Sequence, residues 1–161
     1  MSHSVHPYSF RVGILRDWKS RWFQSKNFAK FLKEAGIDSE LFWYACTLLD
    51  DTRTFPLIVA DMFVAPGEVK GNTLLADAWR GGYGDLEAYA RISEHLVQRL
   101  RASERTTSTP IVVVGIYSLH DTRWGRYIQR LLDAGAHEYF ELGFGIDIPE
   151  FVGKIQGYLQ K

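Results

Sequence analysis

Asp17 and Asp61 are the residues whose type and setting best suit chemistry, because each follows an apolar run that reads as a strand. The runs are Phe10-Arg11-Val12-Gly13-Ile14-Leu15 before Asp17 and Leu57-Ile58-Val59-Ala60 before Asp61. In an open parallel sheet, ligands gather beyond the carboxyl ends of the strands, at the point where strand order reverses. Two carboxylates there, completed by backbone carbonyls and water, suit Mg²⁺, a hard cation that keeps several of its waters. With its charge balanced by the metal, a carboxylate can also act as a nucleophile toward phosphorus. Gly115 and Ser118, following the run Ile111-Val112-Val113-Val114, are the candidate binding residues on the same edge. Acidic residues also end strands simply because the chain has reached water, and on spacing alone that is the commoner case.

Positioning these residues requires strands and helices in alternation. Phe28, Phe31, Leu32 and Ala35 fall at helical spacing, and Gly36 stands where a left-handed helix stop belongs. Leu41-Phe42-Trp43-Tyr44 reads as a short strand, with a short helix within 46–54 ending ahead of Pro56. Leu57 to Ala60 is apolar without alternation, as a strand buried on both faces would be. Helix is expected over 72–80, then again from Leu86 to Arg101 after Gly81-Gly82-Tyr83-Gly84. Leu86, Tyr89, Ser93, Leu96, Val97 and Leu100 form the inner face of that second helix, with Ser93 the polar exception. The stretch 102–109 is polar and turn-like, with nothing to bury. A helix marked by Trp124, Tyr127, Ile128, Leu131 and Leu132 closes at Gly135, and Tyr139-Phe140-Glu141-Leu142 is a last strand. Asp147-Ile148-Pro149-Glu150 opens a final helix with Phe151, Ile155, Tyr158 and Leu159 on one face.

Five alternations of strand and helix imply an α/β, doubly wound, five-stranded parallel sheet in the order 2-1-3-4-5. The expected organisation is a tail over residues 1–9 and one domain over 10–161, with an insertion around 68–109. At 161 residues the chain is long enough to bury a core without disulfide or metal. Lys plus Arg and Asp plus Glu number 19 each, so no whole-chain field recruits nucleic acid or an anionic surface. Cys46 is the sole cysteine, which excludes an internal disulfide and a thiolate-built zinc site and fits a reducing compartment. No apolar run reaches membrane-spanning length and the first residues lack a secretory pattern, so a soluble, cytoplasmic protein is expected.

Leu57-Ile58-Val59-Ala60-Asp61-Met62-Phe63-Val64-Ala65-Pro66-Gly67 resembles the response-regulator receiver segment that runs from apolar strand through phosphoacceptor aspartate to Pro-Gly. The interval from Gly36 to Asp61 is similar to that family's spacing between first helix and acceptor. Arg99-Leu100-Arg101 with Thr109-Pro110 and the valine run resembles its third helix and fourth strand. Leu132-Asp133-Ala134-Gly135-Ala136-His137-Glu138-Tyr139 resembles its entry to strand five. The resemblance covers most of residues 10–160 and is strong over these short pieces. It implies the flavodoxin-like fold, a signalling role through a protein partner, and Asp61 as the candidate phosphoacceptor. The departures imply a degenerate or pseudo-receiver. Arg16-Asp17 stands where the family carries an acidic pair, Gly115 where it carries a hydroxyl, and Leu142-Gly143 where it carries lysine and proline.

Other signals compete. His6-Pro7-Tyr8-Ser9-Phe10-Arg11-Val12-Gly13-Ile14-Leu15-Arg16-Asp17-Trp18-Lys19-Ser20-Arg21-Trp22-Phe23 closely resembles the start of the KH-domain ribosomal protein of the small subunit. That likeness implies an RNA- or ribosome-associated role for a basic, aromatic segment, whereas the charge pattern, distinctly basic only over Arg11–Arg21, leads to weak binding that fades with salt. Val114-Gly115, Ala134-Gly135 and Leu142-Gly143-Phe144-Gly145 resemble the later strands of cobalamin-binding domains. The histidine ligand those domains place after strand one is missing, and His120 and His137 fall elsewhere. His95 reads as a helix-surface residue, and Arg99, Arg101 and Arg105 read as a solvated face rather than a phosphate patch. No catalytic triad or phosphate-binding glycine loop emerges from the spacing, so no conventional enzyme is expected.

Overall fold

The computed structural model describes residues 32–40, 42, 44–66, 85–141 and 148–160. Residues 1–41 and 42–161 make two compact units. In the first, a helical turn ends at Gly36, whose φ of 75° is the left-handed geometry expected there. Gly36 N–H donates to Lys33 O at 3.0 Å and Ile37 N–H to Leu32 O at 2.8 Å, the paired bonds that close a helix through a left-handed residue. The expected first strand, the helix over 72–80, the glycine run 81–84 and Leu142 lie outside the described residues.

The second unit contains α1 (Ala45–Asp50), β1 (Ile58–Asp61), α2 (Leu86–Ala102), β2 (Ile111–Gly115), α3 (Gly125–Asp133), β3 (Glu138–Glu141) and α4 (Ile148–Leu159). Among the described residues the sheet has three strands in the order β1-β2-β3, all parallel. These are the strands expected third, fourth and fifth. β2 is buried along its whole length, as a strand covered on both faces must be. Ile111 and Val113 join the core formed with α2 and α3, while Phe140 meets Phe151 of α4 with ring centroids 5.1 Å apart. Because side chains alternate along a strand, Tyr139 and Phe140 face opposite ways, so helices cover both sides of the sheet. β1 departs from the expected burial on both faces: Ile58 and Ala60 are buried, but Val59 is 36% exposed.

α2 follows from its periodicity. Tyr89, Ile92, Ser93, Leu96, Val97 and Leu100 are all buried, and Asp85 caps the helix by accepting from Glu87 N–H at 2.9 Å. α3 ends at Gly135, φ 112°, with Ala136 N–H donating to Leu131 O and Gly135 N–H to Leu132 O. Among the described residues no helix is long and apolar enough to cross a membrane.

Five local expectations are corrected. The Leu41–Tyr44 strand is seen, among the described residues, only as a single parallel bridge between Tyr44 and Ala65. The next amides, Ala45 and Cys46, donate to Ala65 O and Pro66 O as the chain turns into α1, which stops at Asp50. Leu159 is 37% exposed and lies off the inner face of α4, which rests on Phe151 and Ile155. His95 is half-buried, and its Nε2 is sequestered from solvent with no hydrogen-bond partner among the described residues.

The fourth correction concerns 102–109, which does bury side chains: Thr106 and Thr109 are 4% and 7% exposed. Their hydroxyls donate to Leu100 O (2.6 Å) and Phe55 O (3.1 Å). Arg101 is not part of a solvated face. Its guanidinium donates to Gly135 O (2.7 Å), to the carbonyls of Thr107 and Thr109 (2.8 Å each) and Thr106 (3.3 Å), and to His137 Nδ1 (2.7 Å). Unpaired backbone carbonyls at a helix end need such a donor.

His137 Nδ1 also accepts from Ile111 N–H at 3.2 Å. Both groups facing that nitrogen are donors, so it carries no proton in the folded chain. Burial, then the Arg101 charge, holds the imidazole below its ordinary range. Below the unfolded value of about 6.5 the unfolded chain binds a proton that the folded chain refuses, so stability falls as pH falls. Urea midpoints should therefore drop between pH 7.5 and 5.5, and His137→Gln should flatten that dependence. Asp51, held down to about 2 chiefly by its hydrogen bonds from Arg53, acts only in a lower, separate window.

Candidate functional site

The carboxyl ends of the three strands lie side by side. Register pairs Asp61 with Val114 and Gly115 with Glu141, so Asp61, Gly115 and Glu141 terminate adjacent strands along one edge. Asp61 is exposed, and its Oδ1 accepts from Phe63 N–H at 2.8 Å, a local turn that fixes the carboxylate at the strand end. Met62, fully buried, donates its N–H to Val114 O at 2.8 Å and continues the ladder one residue past Asp61.

Ser93 explains how this turn is held. From the middle of α2 its hydroxyl accepts from Val64 N–H at 2.9 Å and lies 3.1 Å from Asp61 O and 3.2 Å from Tyr89 O. The one polar residue on the inner face of α2 thus serves the backbone on both sides of Met62. Phe63 then meets Trp124 edge-on at 5.1 Å, and Trp124 stacks on Tyr117 at 5.1 Å. An aromatic cluster therefore ties the Asp61 turn to the segment between β2 and α3. Trp124 is buried.

Gly115 leaves room that another side chain fills. A Cβ there would sit 2.5 Å from Tyr139 Oη and 2.8 Å from Met62 Sδ. Tyr139 lies across the end of β2 and donates to Tyr117 O at 2.7 Å. Burial, with the charges of Glu141 and Asp61 adding to it, pushes its phenol well above the ordinary range, so it stays a neutral donor. The hydroxyl at the end of β2 therefore comes from Tyr139 on the next strand. Ser118 is half-buried, and its Oγ accepts from His120 N–H at 3.3 Å within its own turn.

Asp61 and Gly115 are thus neighbours, Ser118 follows three residues later, and Asp17 lies outside the described residues. Sequence reasoning missed Ser93 and Tyr139. Ser93 carried a signal, as a serine where every neighbour on its face is apolar, whereas Tyr139 carried none. Among the described residues no group of three His, Cys, Asp or Glu could hold a metal. Asp61 offers a hard oxygen donor, which fits an ion such as Mg²⁺ that binds through one or two carboxylates and keeps its waters.

No family model matches the chain. A stretch of 34 residues is 53% identical to small ribosomal subunit protein uS3 of Kosmotoga olearia and 50% identical to that of Pediococcus pentosaceus. It covers 21% of this chain, and the chain spans only 15–16% of the length of these relatives. Solved structures match far more of the chain. One is the receiver domain of a sensor histidine kinase from Pseudomonas aeruginosa, described with a magnesium ion in its active-site cleft (TM-score 0.56, 15% identity, 85% of this chain and 88% of that one). Another is the signal receiver domain of a signal-transduction histidine kinase from Syntrophus aciditrophicus (TM-score 0.56, 17% identity, 87% and 84%). Three parallel strands, helices on both faces and this likeness over most of the chain identify the fold as that of a response-regulator receiver domain.

Proposed function

We propose that this chain is a receiver-like signalling or regulatory domain that acts through protein contacts, with Asp61 kept as an inefficient phosphoacceptor. The observation that carries this reading is the edge itself: an exposed aspartate ends β1 of a receiver fold, beside a strand end closed by Tyr139. Asp17 and Asp61 would hold Mg²⁺, whose charge would offset that of the carboxylates and of an incoming phosphoryl group. Arg16 in place of a second acid, and Leu142 in place of a lysine, remove two charges that would favour transfer. The same reading includes sheet order 2-1-3-4-5, a tail over 1–9, one domain over 10–161 with an insertion around 68–109, and a cytoplasmic setting.

Tryptophan emission tests the metal half, because the Asp61 turn contacts Trp124 through Phe63. Mg²⁺ should give a saturable change in emission that Asp61→Asn abolishes. No change, or the same change in the variant, would count against Asp61 as a ligand.

The uS3-like stretch, 50–53% identical over 34 residues, favours a second reading, an RNA-contacting segment at the N-terminus. Tight binding to structured RNA at physiological salt, lost on deleting residues 1–23, would promote it over the first.

A further inference from the structure

At the opposite end of the sheet from Asp61 lies a cavity of about 180 Å³, bounded by the end of α1, the approach to β1, the last turn of α2 and the loop before β2. Three arginines, Arg53, Arg99 and Arg105, line it together with Asp51. The charges do not cancel. Arg53 is spent on Asp51: its backbone N–H (2.8 Å), Nε (3.0 Å) and Nη2 (2.5 Å) all donate to that one carboxylate. Arg105 hydrogen-bonds to backbone, its Nη1 donating to the carbonyls of Asp51 and Arg53, and its charge also acts on the Asp51 carboxylate. Its Nε and Nη2 have no partner among the described residues. Arg99 makes no hydrogen bond or ion pair among the described residues, although it stands on a well-formed turn of helix. Three guanidiniums therefore share one lining carboxylate, which leaves the cavity with an excess of positive charge. Asp50 and Glu104, their sequence neighbours, do not line it.

Arg99 and Arg105 are both exposed, so solvent screens their mutual repulsion, while a concave surface lined by one sign of charge focuses its field and raises the local concentration of anions. The remaining walls say which anion. Ser103 contributes a hydroxyl, while Leu48, Phe55 and Leu100 supply an apolar wall. The volume is below the roughly 300 Å³ at which pockets for drug-sized ligands begin, so the ligand is compact. Two planar, five-donor guanidiniums match a tetrahedral dianion better than a single carboxylate, and the apolar wall matches a short carbon body.

We propose that this cavity binds a small phosphate monoester, its phosphate between Arg99 and Arg105 and its carbon portion against Phe55 and Leu100. The site is independent of Asp61, since its loops precede β1 and β2 while Asp61 ends β1.

Phenyl phosphate and inorganic phosphate are the probes, titrated into the ¹⁵N-labelled full chain. Phenyl phosphate should give saturable amide shifts at Arg53, Ser103, Arg105 and Thr106, with Asp61 and Gly115 unmoved. Inorganic phosphate should bind the same residues more weakly. Arg99→Gln removes a side chain with no partner among the described residues, so it should keep its thermal midpoint yet weaken binding by roughly tenfold or more, the cost of one charge-assisted contact. Arg99→Lys should recover part of the loss. The absence of saturable shifts, shifts unchanged in Arg99→Gln, or shifts centred on Asp61 would overturn the site. Equal affinity for the two probes would overturn its assignment to an organic phosphate.

Discussion

Arg101→Ala should destabilise the chain by about 3 kcal/mol, a drop of roughly 6–12 °C in midpoint. The side chain joins three segments at once: the end of α2, the loop before β2 and the turn between α3 and β3. One guanidinium serves Gly135 O and three loop carbonyls and also faces His137 Nδ1. Hydrogen bonds to a charged donor each contribute about 1.5–3 kcal/mol, but they share hydrogens here and the group is partly exposed, so their sum is not taken. What decides the size is that truncation leaves several carbonyls without a donor while the Gly135 turn loses the stem packed beneath it. A Cβ at Gly135 would lie 2.7 Å from Arg101 Cγ, which shows how closely that stem approaches. Lysine should restore less than half the loss, since one ammonium cannot span the same set of acceptors. Urea unfolding measures both variants. A loss below about 1 kcal/mol would mean that water replaces the guanidinium freely.

Gly115→Thr should destabilise by about 2 kcal/mol, and here the sign is the test. Were the space free, threonine would stabilise a strand position, because glycine there costs about 0.5–1 kcal/mol in conformational entropy. Tyr139 Oη and Met62 Sδ already occupy that space, at 2.5 and 2.8 Å from an added Cβ. The methionine can swing aside. The tyrosine cannot do so without giving up its bond to Tyr117 O and its place in the core. In a Tyr139→Ala background the same substitution should become neutral or stabilising, a coupling that a double-mutant cycle measures. Independent effects of the two substitutions would show that Tyr139 is not what closes the end of β2.

What the sequence reveals and what it hides divides along physical lines. The buried face of α2, the run Ile111–Val114 and the stops at Gly36 and Gly135 are written in local periodicity and backbone preference, and all of them stand in the structure. Asp61 was legible because a strand was expected to end just before it. Features built from partners far apart in the chain were not. Ser93 reaches Val64, 29 residues away, and Arg101 reaches Gly135, 34 residues away. In isolation each reads as a polar residue at an ordinary helix position. Tyr139 over Gly115 needs the register of two strands, which no single segment carries. The three arginines near the end of α2 looked alike in sequence and differ only by what the neighbouring loops present: carbonyls around Arg101, a cavity beside Arg99 and Arg105.

The most direct measurement on Asp61 is its labelling by a small phosphodonor. The full chain would be incubated with acetyl phosphate and Mg²⁺, and acyl phosphate counted by intact mass before and after hydroxylamine. Asp61→Asn serves as control and should fold normally. Its side-chain carbonyl can keep the bond from Phe63 N–H, so its stability should lie within about 0.5 kcal/mol of the parent. Labelling of only a small fraction of the chain, confined to Asp61, is the expected result for an edge that has Tyr139 at the end of β2, in a sequence that carries Leu142 where the receiver resemblance would have lysine. Stoichiometric, Mg²⁺-dependent labelling that vanishes in Asp61→Asn would contradict it and make this domain an efficient phosphorylation switch.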